Sequence, residues 1–350
     1  MKKLKITPLF IVLTLAIFFL NSVAAQEVEQ VEKTEKKEIV KTFKARGLVK
    51  IQTMSGSCVF IKGKAGEIKV QVKYDPSGGL FEPQMEEDRG ANTLVLRDKF
   101  QGGDEGSDAL WIITVPEKTD VKSSSISGNF SIAGLNSDIA AKTVSGDISA
   151  KDCSGDVRLA CVSGGIKAEN LKGAIQLKGI SSDMELSKLS GKMEINTASG
   201  EIKAVELEGD ISCAVASGDV EIKKAQGGFK VKTASGDIRV FDISVQKASE
   251  FKVASGDVTV TLARTAEQDM TLASASGDVV LNYNGNPIKG WFEFRALSGK
   301  GDIVSPFKFD KEETEEEWGK KYDVKSFRKD GDAPRIYIHT TSGEAVLKEK

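Results

Sequence analysis

The sequence predicts an all-β fold, a parallel β-solenoid with coils of roughly eighteen residues, each made of two nonapeptide halves. Three observations predict it. From Ser127 to Ile243 the chain divides without a gap into thirteen blocks of nine, the first reading SGNFSIAGL and the last SGDIRVFDI. Within a block, positions four, six and nine are mainly apolar while five and seven are polar or small, the period-two pattern of a short strand with one face inward. Position two is usually Gly beside Ser and Asp, the chemistry of a tight corner.

Alternate blocks differ, which makes the true repeat eighteen residues with two unlike sides. Position eight before one kind of corner reads Thr143, Cys161, Gly179, Thr197, Val215, Thr233; before the other it reads Gly134, Asp152, Asn170, Lys188, Glu206, Lys224. Stacked coils place equivalent residues about 4.8 Å apart, so each column becomes a ladder. On one side position five runs Lys167, Glu185, Lys203, Glu221, Arg239, alternating charges that favour in-register stacking. The crossover rule predicts a right-handed winding, and the repeat length at least seven to ten coils.

Taken in chain order, residues 1–25 read as an export signal: Lys2, Lys3 and Lys5 precede the apolar run Leu9 to Leu20, which ends in NSVAA. Residues 26–40 are charged and read as a tether. Residues 41–126 carry strand-like runs that start and cap the stack, residues 127–303 form the solenoid, and residues 304–350 hold an acidic insertion and a closing strand, RIYIHTTSGEAVLKEK. After Asp237 the corners at Ser255, Ser276 and Ser298 are about 20 residues apart, so the later coils carry longer loops.

Composition narrows the function. Removing the three leader lysines from 49 Lys+Arg leaves 46 against 51 Asp+Glu, a formal charge near −5, which argues against a nucleic-acid partner. No later stretch has the length and apolarity of a transmembrane helix. Cys58, Cys153, Cys161 and Cys213 lack metal-type spacing and read mostly as small buried residues. His339 stands alone as the histidine, which excludes histidine-rich metal sites and a serine-histidine triad within the repeats; in RIYIHTT it reads as exposed or on an edge strand.

The recurring TVSGDI, TASGEI, TASGDI and VASGDV, the lead-in TVPEKTDVKSSSISG and the closing IHTTSGEAVL resemble a bacterial family of exported or membrane-linked candidate adhesins, a domain of unknown function built from β-strand repeats. The resemblance spans roughly Lys41 to Lys348. It implies a β-solenoid of the cell envelope, periplasmic or at the cell surface, and carries no catalytic residue over.

The acids at position three of one edge, Asp147, Asp183, Glu201, Asp219 and Asp237, continued by Asp257 and Asp278, form the one column with candidate chemistry. A calcium edge is the sharp reading; turn capping is the plainer one, because the calcium-roll pattern Gly-Gly-x-Gly-x-Asp is absent and Gly165 interrupts the column. A polysaccharide-active enzyme would need a groove with supported carboxylates. Trp111 sits in a strand-like run and reads as core, Trp291 in GWFEFRAL reads as the edge of a late coil, and Trp318 as part of a solvated acidic loop. The reading is therefore a non-enzymatic adhesive, binding or scaffolding module without cofactor. Its partner would be an envelope glycan or surface protein, met on the flat ladders and on the loops near Gly285 to Arg295 and Phe309 to Lys325. Self-association along ends or edges is open, and a soluble envelope-stress sensor is the main alternative.

Overall fold

The computed structural model describes residues 36–75, 80–101 and 109–350, and every regular element among them is a β-strand. The export signal and the tether up to Glu35 lie outside the described residues. The first nine strands are β1 (Lys37–Lys44), β2 (Leu48–Thr53), β3 (Ser57–Lys62), β4 (Glu67–Tyr74), β5 (Leu80–Asp88), β6 (Thr93–Gln101), β7 (Leu110–Val115), β8 (Asp120–Ser125) and β9 (Phe130–Ala133). The regular repeat supplies β10 (Ile139–Ser145), β11 (Ile148–Ser163), β12 (Ile166–Ser181), β13 (Met184–Ser199), β14 (Ile202–Ser217), β15 (Val220–Lys223) and β16 (Gln226–Ser235). It continues through β17 (Ile238–Val245), β18 (Ser249–Ser255), β19 (Val258–Leu262), β20 (Met270–Ser276) and β21 (Val279–Asn282). The chain closes with β22 (Gly290–Leu297), β23 (Gly301–Val304), β24 (Lys311–Glu317), β25 (Lys320–Lys329), β26 (Arg335–Thr340) and β27 (Gly343–Lys348).

Two parallel ladders run through this set, and each coil contributes one rung to each. From β8 to β20 the first ladder rises in chain order at a step of 18 residues, as in Ile139↔Val157, Val157↔Ile175 and Ile175↔Met193. The step grows to 20 at Val231↔Phe251 and 21 at Phe251↔Leu272, the lengthening anticipated from the corner spacing. The second ladder carries the other half of each coil, through Ile166↔Met184, Met184↔Ile202 and Ile202↔Val220.

Positions four and six point inward and close the core: Ile166, Met184, Ile202, Val220 and Ile238 are at most 1% exposed. Each buried aliphatic side chain of this kind contributes roughly 1.5–3 kcal/mol of transfer free energy. Position nine behaves differently on the two sides. Leu135, Leu171, Leu189 and Leu207 are buried, whereas Val144, Val162 and Ile180 are exposed, so this apolar column is core at one corner and surface at the other. Block periodicity alone treats the two as equivalent.

The ends depart from chain order. The coil β2–β3 lies between β6–β7 and β8–β9: β2 pairs with both β6 and β8, and β3 with both β7 and β9. At the other end β26–β27 is inserted between β20–β21 and β22–β23. The closing strand expected at the terminus is thus an interior coil, and the boundaries drawn at 127 and 303 fall within the stack. Antiparallel strands cover the outermost coils, β4 and β1 with β5 at one end and β25 with β24 at the other. Lys37 to Val40, assigned to the tether, belong to β1, and the acidic insertion is the β24–β25 hairpin with Trp318, 93% exposed, in its turn.

Candidate functional site

Each letter of the Thr-x-Ser-Gly-Asp-Ile corner has a separate task. The Thr hydroxyl donates to the carbonyl of the corner one coil earlier, Thr143 to Gly128 at 3.1 Å and Thr340 to Gly277 at 2.9 Å. Cys161 and Ser274 occupy the same column and donate to Gly146 and Gly256. The Gly admits that close approach: a Cβ on Gly218 would lie 2.2 Å from the Gly200 carbonyl oxygen. The Asp then bridges coils, since Oδ1 of Asp147, Asp183, Asp219, Asp237, Asp257 and Asp278 accepts the N–H of Gly165, Glu201, Asp237, Asp257, Asp278 and Glu344 at 2.8–2.9 Å. Gly165 donates this bond and has no side chain to accept the next, while Glu201 turns its carboxylate to Lys203 at 2.7 Å.

This places every member of the predicted acidic edge in one column and gives its carboxylates a structural partner. Among the described residues no three His, Cys, Asp or Glu side chains converge as metal ligands. The outward charge ladder is in register as expected, and Lys167 meets Glu185 at 3.2 Å, but Arg239 turns to Asp219 at 2.9 Å and to Asp237 instead of Glu221. Asp237 lies two residues before Arg239 and Asp219 stacks on it one coil earlier, so the guanidinium reaches both corner acids at once.

The opposite polar column also has a cause that its composition only hinted at. Gly134, Asp152, Asn170, Lys188, Glu206, Lys224 and Asp242 all adopt φ between 52° and 73°, the left-handed region. Gly, Asn and Asp take it readily; Lys and Glu are strained there. All four cysteines are buried free thiols, and burial pushes Cys213 up to about 12.

Two surface features stand out from this regular frame. The first is a stripe of exposed aliphatic side chains at the residue between Thr and Ser: Met54, Ile126, Val144, Val162 and Ile180 are 37–55% exposed on consecutive rungs. The stripe continues as Ala198, Ala216, Ala234, Ala254 and Ala275.

The second lies on the outward face of β22 and β26, where aromatic side chains replace the mainly charged and polar ones of the earlier coils. The Trp291 and Tyr337 rings meet edge to face at 5.6 Å, and Tyr337 and His339 at 5.8 Å. The Arg295 guanidinium lies 4.2 Å from the Tyr322 ring centre and pairs with Glu315 at 3.7 Å and with Glu317. His339 Nε2 is enclosed with no hydrogen bond, 3.5 Å from Glu293 Oε1. A cleft of about 380 Å³ is lined by Lys252, Ser274, Arg295, Glu317, Tyr322 and His339. His339 is therefore not on an edge strand, because β26 is paired on both sides. Trp291 stands in a strand, not a loop, and Trp111 is core, donating from Nε1 to Asp98 at 2.9 Å. The aromatic residues were visible in the sequence, but their assembly depends on the out-of-order insertion of β26 beside β22.

No helix among the described residues is long and apolar enough to cross a membrane. No curated protein matches the chain in sequence. Among solved structures, a candidate lipid-binding protein from Parabacteroides distasonis is similar at 14% identity and a TM-score of 0.30, over 89% of this chain and 96% of that one. A candidate adhesin from Parabacteroides merdae is similar at 12% identity and a TM-score of 0.24, over 72% and 90%. A candidate cell adhesion protein from Clostridium sporogenes is similar at 11% identity and a TM-score of 0.19, over 90% and 100%. The profile of the Toastrack family, a domain of unknown function, matches twice, over residues 49–228 and 224–347, and so takes in almost the whole stack. The chain belongs to the Toastrack DUF4097 family.

Proposed function

We propose that this protein is a non-enzymatic binding module that acts outside the cytoplasm and holds an envelope glycan on the outward face of β22 and β26. The observation that carries the reading is the concentration of half-exposed rings at this one place: Trp291, Tyr337, His339 and Tyr322 lie within two stacked coils and their covering hairpin. Aromatic side chains with one apolar face and one polar end suit the apolar faces and hydroxyl rims of sugar rings. The ionic groups beside them, Arg295, Glu293, Glu317 and Lys252, supply both donors and acceptors for hydroxyls. A lyase or hydrolase reading has less support, because Glu315 and Glu317 are tied to Arg295 and Glu293 faces His339.

The test is co-sedimentation with fractionated envelope polysaccharide, with and without EDTA. Saturable binding is expected, unaffected by EDTA and weakened at least tenfold in Trp291→Ala and Tyr337→Ala. Undiminished binding by both variants would overturn this assignment.

A further inference from the structure

We infer that the aliphatic stripe Met54–Ile126–Val144–Val162–Ile180 is the contact by which two copies of this chain pair side by side, in parallel and in register. Its aliphatic rungs lie on coils other than those of the glycan face, although its far rungs Ala275 and Thr341 and the flanking Lys252 also line the cleft there, and its test reads association instead of glycan retention. Three observations point to a second copy and to that orientation.

The first is the stripe itself. An exposed run of branched and long aliphatic residues on successive rungs is uncommon on a soluble surface and marks a contact. With the alanines and Thr341 it has eleven rungs; at about 4.8 Å each and about 10 Å wide it offers roughly 500 Å² per partner, about 1,000 Å² in all, the lower edge of specific interfaces. Reversible association in the micromolar range is the expected consequence.

The second is the charge on either side. One flank carries Lys142, Lys178, Lys232 and Lys252, the last two also paired with Glu250. The other carries the acid column from Asp147 to Asp278, in which Oδ1 is used inside the stack and Arg239 takes Oδ2 of Asp219 and Asp237, but Asp147, Asp183, Asp257 and Asp278 keep Oδ2 facing outward. Rotating one copy by half a turn about an axis along the stripe brings each lysine flank against the partner's acid column. Rotating it about the axis across the stripe sets lysines against lysines and acids against acids. The parallel arrangement is the complementary one.

The third is that the ends of the first ladder discourage the alternative, head-to-tail stacking. The first ladder ends in β5 with Glu82, Pro83, Glu86, Glu87 and Asp88, and at the other end in β24 with five glutamates, Glu312, Glu313, Glu315, Glu316 and Glu317. Joining these edges would oppose like charges, and Pro83 lacks the donor a new ladder needs.

A parallel pair about an axis along the stripe puts every stripe residue opposite itself. Single variants Val144→Cys, Val162→Cys and Ile180→Cys, oxidised with diamide, are each expected to give a covalent homodimer; the native thiols are buried and give little background. An antiparallel pair would cross-link at one central position alone, and that result would overturn the inference. Sedimentation velocity should show concentration-dependent dimerisation that Val144→Asp with Ile180→Asp weakens at least tenfold without lowering the melting temperature. A monomer at all concentrations overturns it, as does a dimer that survives both substitutions. Flotation with phosphatidylcholine vesicles that the same pair abolishes would overturn it in favour of a lipid surface.

Discussion

The carboxylate of Asp219 accepts the backbone N–H of Asp237, one coil further on, at 2.9 Å. Side chain and main chain are thereby tied across each corner, at the spacing that the repeat imposes, and the tripeptide Ser-Gly-Asp marks a joint between coils.

Removing that acceptor should loosen the joint without unfolding the stack. Asp219→Ala is expected to cost about 1–2 kcal/mol, while Asp219→Asn, which keeps an Oδ1 acceptor, should lose less. Denaturant melts with and without EDTA check this, and neither variant should gain metal dependence. The Asp237 N–H holds the Asp219 carboxyl below its usual range, with Arg239 adding to the effect and burial opposing it. Its stabilisation is therefore complete above about pH 4 and is lost as pH falls through the depressed value.

Gly218 should tolerate no side chain. In Gly218→Ala the new Cβ would meet the Gly200 carbonyl oxygen at 2.2 Å, and Gly218 has φ 143°. A loss of about 3 kcal/mol or more is expected, read as a shift in denaturation midpoint. A loss below about 1 kcal/mol would mean that the corner relaxes and that coil spacing is softer than described.

Lys188 offers the reverse experiment. It is held at φ 56° in the column where Gly134 and Asn170 sit without strain. Lys188→Gly should raise stability by about 0.5–1 kcal/mol, the relief of the left-handed conformation less the added freedom of the unfolded chain. Thermal and denaturant melts measure it, and a decrease would assign the lysine a contact that outweighs its strain.

Among the described residues Asp98 is the acid most perturbed by its surroundings. Desolvation raises it from 3.8 to about 6, against the bonds from Trp111 Nε1 and the Met54 N–H. A raised folded value means that its contribution is full below about pH 4 and disappears as pH rises through about 6, by roughly 2–3 kcal/mol. The stability of Asp98→Asn relative to the natural protein should therefore increase from pH 4 to pH 7.

Most of the solenoid could be read from the chain because an unbroken period of nine leaves little choice of register: Ile166, Met184 and Ile202 recur at one position and stack at one position. The coil ends were harder. Nothing in the period says that Ile336–Thr340 pairs with Met270–Ser274 across an intervening coil and hairpin, because that pairing is set by tertiary contact and not by spacing. The face carrying Trp291, Tyr337 and His339 was hidden for the same reason. The stripe was hidden differently: Val162 and Leu171 are both apolar at position nine, and only the direction of each corner decides which one is buried.

The inserted coils change what the ends of such a molecule can do. In an ordinary stacked array the last unit can peel away, then the next, so the array frays and can be trimmed one repeat at a time. Here β2–β3 and β26–β27 are each held between neighbours that the chain reaches by a longer path. To release either inserted coil, the chain must break a parallel pairing on both of its sides at once. Deleting residues 335–350 would not shorten the stack from its tip; it would leave a gap below β22–β23. The protein behaves less like a roll that unwinds than like a strap threaded back under its own last turn, and proteolysis should find residues 335–348 locked.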